Sequence, residues 1–528
     1  MSFARVYSAQ THLLKGKIVT VEIDITKNTL HAFTLVGLPD KAVDESKDRM
    51  SSALKNSGFS SPKNQNQKIV ISLSPADLKK EGPYFDLAIA LAYLLSAEEI
   101  DFDPEKKIFL GELSLNGELQ PIKGVLPLTE LAMRLGYKEI FVPIANAEEA
   151  ALIKGITVYG ARTLKEVVDH IYKIKYDKNG NPLEKERPKI LPQKLTEIIH
   201  KDKNRDVDFS DIRGQESAKR GLEIAAAGGH NIALSGPPGT GKTMLARVFS
   251  HILPELDNDD ILEITGIHSI VGLLEDTLIT EPPFRAPHHT ASYVSMIGGG
   301  ANPKPGEVTL AHKGVLFLDE FPEFEKRVLE ALRQPLEDNI VSISRARGSA
   351  IFPSNFILVA AMNPCPCGNK GNKDKNCICK PNDLDRYARR ISGPIIDRVD
   401  LWVTVGNVDY KKLSDETPTG EKTETIKARV KNARAIQDRR FSAKGVKQSS
   451  RKIKTNSDMN VKELSVYAPL SSEVKQLLNN SAERLALSAR AYHRVIKIAR
   501  TIADLENSPD IRQNHILEAL QYRPKVNS

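Results

Sequence analysis

The sequence predicts an α/β protein with a P-loop core, and three observations predict it. Residues Gly236, Pro237, Pro238, Gly239, Thr240, Gly241, Lys242 and Thr243 match the pattern G-x-x-x-x-G-K-[ST]. An apolar run before them, Asn231–Ser235, reads as a strand, and Met244–Ser250 after them reads as a helix. A second apolar run, Gly314–Leu318, ends in the carboxylates Asp319 and Glu320. Glycines let backbone N–H groups come close to phosphate oxygens, and the helix N-terminus favours their negative charge. Lys242 then reaches the β- and γ-phosphates, while the Thr243 hydroxyl and Asp319 hold Mg²⁺. A plain glycine turn before a helix leaves the Lys-Thr pair unexplained. The chain is expected to bind ATP or GTP.

The next strands narrow that choice. Glu320, beside the metal ligand, has the place of a general base that polarises the attacking water. The strand Phe356–Ala361 leads to Asn363, whose amide is set to orient the same water. Strand order and polar strand ends together indicate the additional-strand P-loop class, hence AAA+ with ATP rather than a GTPase.

A chain of 528 residues has room for three or four domains. Residues 1–172 read as an α/β domain. Ile18–Ile25 alternates at period two, Ile69–Leu73 and Ile108–Leu113 are further strands, and Asp86–Leu95 is a buried helix. Residues 173–206 are rich in Lys, Glu, Asn and Pro and read as a linker. The nucleotide module spans 207–408, and 409–528 reads as a basic segment followed by helices. Tyr492, Val495, Ile496, Ala499, Ile502 and Ala503 form one apolar helix stripe. Ser508, Pro509 and Asp510 offer an N-cap and first turn for the last helix.

Hydrophobic residues make up 40% and charged ones 27%, a globular composition with ample core. The longest apolar stretch, Phe85–Ala97, is shorter than the roughly 20 residues that span a bilayer. No basic segment followed by an apolar core stands at the N-terminus, so a cytoplasmic protein without a membrane partner is expected. Net charge is +8, compatible with nucleic acid. Lys427–Lys454 holds eleven Lys or Arg and one acid, Asp438, so the remainder is slightly acidic. That run reads equally as a solvated helix face or as a phosphate-backbone contact. The cysteines, Cys365, Cys367, Cys377 and Cys379, are spaced C-x-C-x₉-C-x-C, which argues against a disulfide framework. Two readings stand for them: a structural Zn²⁺ site or free thiols. Ile340–Phe352 alternates on both sides of Arg345–Gly348 and reads as a hairpin with a basic tip.

Four segments, Phe284–Thr290, Pro305–Gly314, Asn363–Gly368 and Ile391–Asp400, resemble the magnesium-chelatase-like AAA+ proteins, and more narrowly their ComM (YifB) branch. The resemblance covers essentially the whole chain, because residues 1–172 are similar to that branch's Lon-protease-like N-terminal domain. It implies that Arg398 is an arginine finger reaching a neighbouring subunit's site, with Arg490 the sensor-2 arginine of a C-terminal helical lid. Arg333 is implied as a second trans-acting arginine. A finger acting in trans implies a homo-oligomeric ring, hexameric in this family. The hairpin resembles the pre-sensor-1 hairpin of related replicative helicases, so Arg345 and Arg347 would grip phosphates, the alternative being an ordinary exposed turn. The insert Ile267–Pro305, with His288, His289 and Lys304, matches the family's helix-2 insert and a second pore loop. Its histidine pair reads as structural. The implied function is a DNA motor acting on single-stranded and branched DNA, by branch migration in recombination during natural transformation, alongside recombination proteins. A chelatase-type motor subunit that remodels a protein partner is the alternative. Lon-type proteases carry Gly-Pro-Ser-Ala-Gly and a downstream Lys. Here Gly82–Asp86 has no Ser and Leu126 stands at the Lys position, so no peptidase chemistry is expected.

Overall fold

The computed structural model describes residues 3–173, 186–200, 207–300, 303–345, 348–372, 375–407, 420–442 and 453–524. The chain forms two compact units, residues 1–199 with 258–279, and residues 200–257 with 280–528.

In the first unit, the alternating run at Ile18–Ile25 lies in a strand, Lys15–Lys27, that buries Val19, Val21, Ile23 and Ile25 on one face. It pairs antiparallel with Phe3–His12 and with Gln67–Ser74, and Ala32–Val36 adds in parallel at the far edge. Helix Asp86–Ser96 is buried along nearly its whole length, and its leucines and isoleucine join the sheet's apolar face in one core. At its first residue the Asp86 carboxylate takes two hydrogen bonds from Arg49, at 2.8 and 3.1 Å. Burial pushes that carboxyl up to about 6, against the pull of Arg49. The single strand expected at Ile108–Leu113 is two, Lys107–Phe109 and Glu112–Leu113. The chain turns at Gly111, φ +156°, whose N–H donates to Tyr84 O at 3.1 Å instead of continuing the ladder.

Helix Asn258–Val271 belongs to this unit although it follows the P-loop in sequence. Its Ile261, Ile264 and Ile267 are buried, while Leu262 and Leu278 pack on Leu126, Leu152 and Ile153. The Ser269 hydroxyl donates to the Glu149 carboxylate and accepts from Gly124 N at 2.9 Å. The insert expected as one piece, Ile267–Pro305, is therefore divided between the two units.

In the second unit five parallel strands lie in the order Phe284–Arg285, Val315–Leu318, Ile357–Met362, Ile232–Ser235, Leu401–Thr404. Their near-continuous apolar runs suit a parallel sheet covered on both faces. Ile357–Met362 sits between the P-loop strand and the strand that leads into Asp319, which is the additional-strand order. The C-terminal ends of an open parallel sheet are where polar groups gather around a ligand.

Helices Thr423–Ser442, Val461–Tyr467, Ser472–Arg484, Ala489–Leu505 and Gln513–Gln521 follow. The stripe Val495, Ile496, Ala499, Ile502 and Ala503 is buried. Ser508 does not open the last helix. Its N–H closes the preceding one on Ala503 O at 2.8 Å, and its hydroxyl donates to Asp510 O at 2.8 Å. With Ser508 so occupied, the helix starts at Gln513, where Arg512 N donates to His515 Nδ1 at 2.9 Å. No helix among the described residues is long and apolar enough to cross a membrane.

Candidate active site

The P-loop backbone is set by its glycines. Gly239 and Gly241 take φ +79° and +82°, and a Cβ at either would meet nothing within 4 Å, so the loop opens onto free space. Gly236 is the contrast, because a Cβ there would lie 2.1 Å from Val405 O. Helix Lys242–His251 starts directly from Gly241 and points its first N–H groups into the same space. An open cradle at a helix N-terminus, with a buried ammonium at its base, fits the phosphates of a nucleotide.

Lys242 is 8% exposed. Its Nζ donates to Gly236 O and Pro237 O, both at 2.8 Å, and to Asn363 Oδ1 at 3.2 Å. Burial pulls its pKa down and the charge of Asp319 opposes that pull. Thr243 Oγ1 donates to Asp319 Oδ2 at 2.9 Å, and Asp319 Oδ1 accepts from Glu320 N at 2.9 Å. A hydroxyl and a carboxylate in one corner form the donor set a magnesium ion takes. Lys242, Thr243, Asp319, Glu320 and Asn363 thus come together from three separate stretches of sequence.

Glu320 is half exposed, with φ +51°. Its Oε2 lies 3.1 Å from His289 Nδ1, and the rings of His288 and His289 are 4.2 Å apart. The histidine pair, expected to be structural, therefore places one imidazole on the carboxylate proposed as general base.

Arg398, Arg490 and Arg333 form a second cluster. Arg398 donates to Glu337, to Pro394 O at 2.7 Å and to Arg333 O at 3.2 Å. Arg490 donates to the other Glu337 oxygen at 3.1 Å, and Arg333 to Ser392 Oγ at 3.2 Å. Glu337 has no motif around it, and sequence reasoning missed it. It missed Asn231 as well, whose side chain donates to Arg398 O at 3.1 Å and accepts from Leu358 N at 2.8 Å. Asp400 joins this frame through Arg494 at 3.3 Å. Burial there favours the neutral acid, but the charge of Arg494 and the neighbouring His230 outweigh it and hold the carboxyl below its usual range.

The hairpin forms from Ile340–Arg345 and Gly348–Pro353, with Arg345 opposite Gly348 and with Val341, Ile343, Ala350 and Phe352 buried. Arg347 lies outside the described residues, and of Arg345 the backbone alone is described. Lys304 is exposed on a short strand paired with Gly299. In the basic segment, residues 443–452 lie outside the described residues. Much of the rest is paired internally: Lys427 and Lys431 with Glu255, Arg429 with Glu223 and Glu421, Lys454 with Asp257. Those contacts favour a structural role for the described part of the run.

The four cysteine sulfurs converge, all within 4.8 Å of one another. Cys365, Cys367 and Cys377 lie 3.4, 3.7 and 3.6 Å apart pairwise.

Three family profiles match the chain: magnesium chelatase, subunit ChlI, over residues 208–413; subunit ChlI of Mg-chelatase over 21–146; and the ChlI C-terminal region over 420–523. Over 529 residues the chain is 40% identical to the competence protein ComM of Haemophilus influenzae, a match covering 100% of this chain and 98% of that one. The chain belongs to the ComM branch of the magnesium-chelatase-like family. YifB of Escherichia coli, an uncharacterized protein of the same branch, is 40% identical over 526 residues, 99% of this chain and 97% of its own. A shorter match, 32% identity over 108 residues, joins 20% of the chain to 25% of the DNA repair protein RadA of Streptococcus pneumoniae. Membership of this AAA+ family implies ATP and Mg²⁺ as cofactors.

Proposed function

We propose that the protein is a ring-forming AAA+ ATPase that uses hydrolysis to move DNA, by branch migration during recombination of incoming strands. The observation that carries the ATPase reading is the convergence of Lys242, Thr243, Asp319, Glu320 and Asn363 at the strand ends beside an open P-loop. When bound, ATP and Mg²⁺ would supply the reacting phosphoryl group and a cation to neutralise its charge. Lys242 would present its ammonium to the β- and γ-phosphates, and Thr243 with Asp319 would hold the metal. Glu320 accepts the proton of the attacking water, and Asn363 orients it. Arg398 and Arg333 serve the neighbouring subunit, Arg490 acts from the helical lid, and six chains complete one another's sites. Four thiolates at residues 365–379 would leave no open coordination position, so a zinc ion there would be structural and not catalytic.

The DNA reading is supported by the basic hairpin tip, Arg345 and Arg347, with Lys304 as a second contact, and by the names of the relatives, a competence protein and a DNA repair protein. The N-terminal unit, Lon-protease-like by resemblance, is a binding or scaffolding module without peptidase activity. A second reading, a chelatase-type motor that remodels a protein partner, is favoured by the ChlI profiles.

ATP turnover by the purified protein, alone and with single-stranded, duplex and four-way-junction DNA, tests both, with oligomeric state recorded alongside. Stimulation by DNA with ATP-dependent ring assembly supports the motor. Indifference to every DNA moves the assignment to the chelatase-type reading. Glu320→Gln is expected to bind ATP without turning it over and Lys242→Ala to lose binding, while equal turnover by the Gln variant removes Glu320 from its role.

A further inference from the structure

We propose that the cysteine knuckle at residues 365–379 is a mononuclear zinc site whose metal fixes the walls of the nucleotide pocket. The inference rests on the reading of that pocket as an ATP site.

The sulfur geometry speaks for one ion. A tetrahedral zinc with Zn–S bonds of about 2.3 Å has sulfur–sulfur edges of about 3.8 Å. Three edges in the structure are 3.4, 3.7 and 3.6 Å, and all four sulfurs lie within 4.8 Å of one another. None of the four is in a disulfide. Backbone N–H groups already point at sulfur: Lys370 N lies 3.3 Å from Cys365 Sγ, and Cys367 N lies 3.4 Å from Cys379 Sγ. Such donors stabilise thiolate charge and orient metal ligands. Cys365 is fully buried.

The knuckle is also attached to the pocket at three points. Cys365 comes two residues after Asn363, whose amide oxygen accepts from Lys242. Gly368, φ +78°, lies so near the P-loop that a Cβ on it would sit 2.6 Å from the Pro238 ring. Cys379 comes two residues before helix Pro381–Ala388, whose Tyr387 hydroxyl donates to Asn363 O at 3.0 Å. One ion bound to all four sulfurs closes this loop upon itself. It thereby holds Asn363 covalently through Cys365 and by hydrogen bond through Tyr387, and keeps Gly368 seated on Pro238. Without the ion, Lys370, Asn369 and their neighbours lose their anchor, and the Asn363 amide and the P-loop wall lose theirs.

Metal analysis of protein purified without added zinc, together with steady-state ATPase kinetics, tests this. About one zinc per chain is expected in the unaltered protein. Cys377→Ser with Cys379→Ser is expected to lose the zinc and to raise KM for ATP and lower kcat by about tenfold or more. Cys379→His, which keeps a zinc ligand, is expected to restore both. Gly368→Ala keeps every cysteine, so it should retain zinc while raising KM, and it decides the matter should the double variant fail to fold. Absence of zinc, or another metal in its place, overturns the site. Zinc lost with kinetics unchanged, together with unchanged kinetics in Gly368→Ala, overturns the coupling. An unaltered protein that holds zinc and turns over no ATP overturns the pocket reading beneath it.

Discussion

At Glu320 the backbone takes φ +51°, a conformation that costs a non-glycine residue about 1–2 kcal/mol. Strain of this kind persists where the surroundings hold it, and it gathers at functional sites. Two contacts hold it here: Glu320 N donates to Asp319 at 2.9 Å, and the side chain meets His289 at 3.1 Å. The consecutive Asp and Glu after an apolar strand were legible in the sequence, because the chemistry of phosphoryl transfer demands carboxylates at that strand end. His289 was not, since a contact between residues 31 positions apart leaves no trace in local spacing. A hydrogen bond to a charged group is worth about 1.5–3 kcal/mol in stability, less where water competes. His289→Ala is therefore expected to lower kcat by about three- to tenfold with KM for ATP little changed, and His289→Asn, which keeps a donor, to recover most of it. Steady-state kinetics over ATP concentration check this, and a pure KM effect would place His289 in binding instead.

The elements divide by how locally they are encoded. Lys15–Lys27 and Gln67–Ser74 follow from alternation, and Ile232–Ser235 and Val315–Leu318 from unbroken apolar runs. The hairpin follows from alternation around a Gly-containing tip. The last helix starts later than Ser508, which has the right chemistry for a cap but donates its hydroxyl to Asp510 O. Asn258–Val271 shows helical periodicity, but nothing in its own residues says which core will bury Ile261 and Ile264. For the hairpin, Arg345→Ala with Arg347→Ala is expected to weaken DNA binding and to flatten its dependence on salt by roughly one logarithmic unit per lost phosphate contact. Titrations at several salt concentrations measure the slope, and an unchanged slope would move the contact to Lys304 or elsewhere.

For the whole molecule, the proposed ring rests on the proposal that Arg398 acts on a neighbour. Within its own chain Arg398 is held by Glu337, Arg333 O and Pro394 O, and Arg490 shares Glu337. Arg398→Ala alone is expected to lose about 10³–10⁵ in turnover. Mixed with Lys242→Ala, whose fingers are intact, it should regain a measurable fraction, because each variant supplies what the other lacks. Mixed rings no more active than Arg398→Ala alone would refute a finger in trans. The division of the chain into units has its own mechanical consequence. The backbone passes between the units at residues 199–200, 257–258 and 279–280. After a cut between residues 199 and 200, the 258–279 segment is the one piece of the first unit still covalently joined to the second, at both of its ends. Any load carried by helix Asn258–Val271 is delivered along these tethers to two addresses. One is the short connection after the P-loop helix that ends at His251, and the other is the approach to Phe284 and the histidine pair. Pulling on helix Asn258–Val271 thus tugs covalently on the segment after the P-loop helix and on the segment before Phe284.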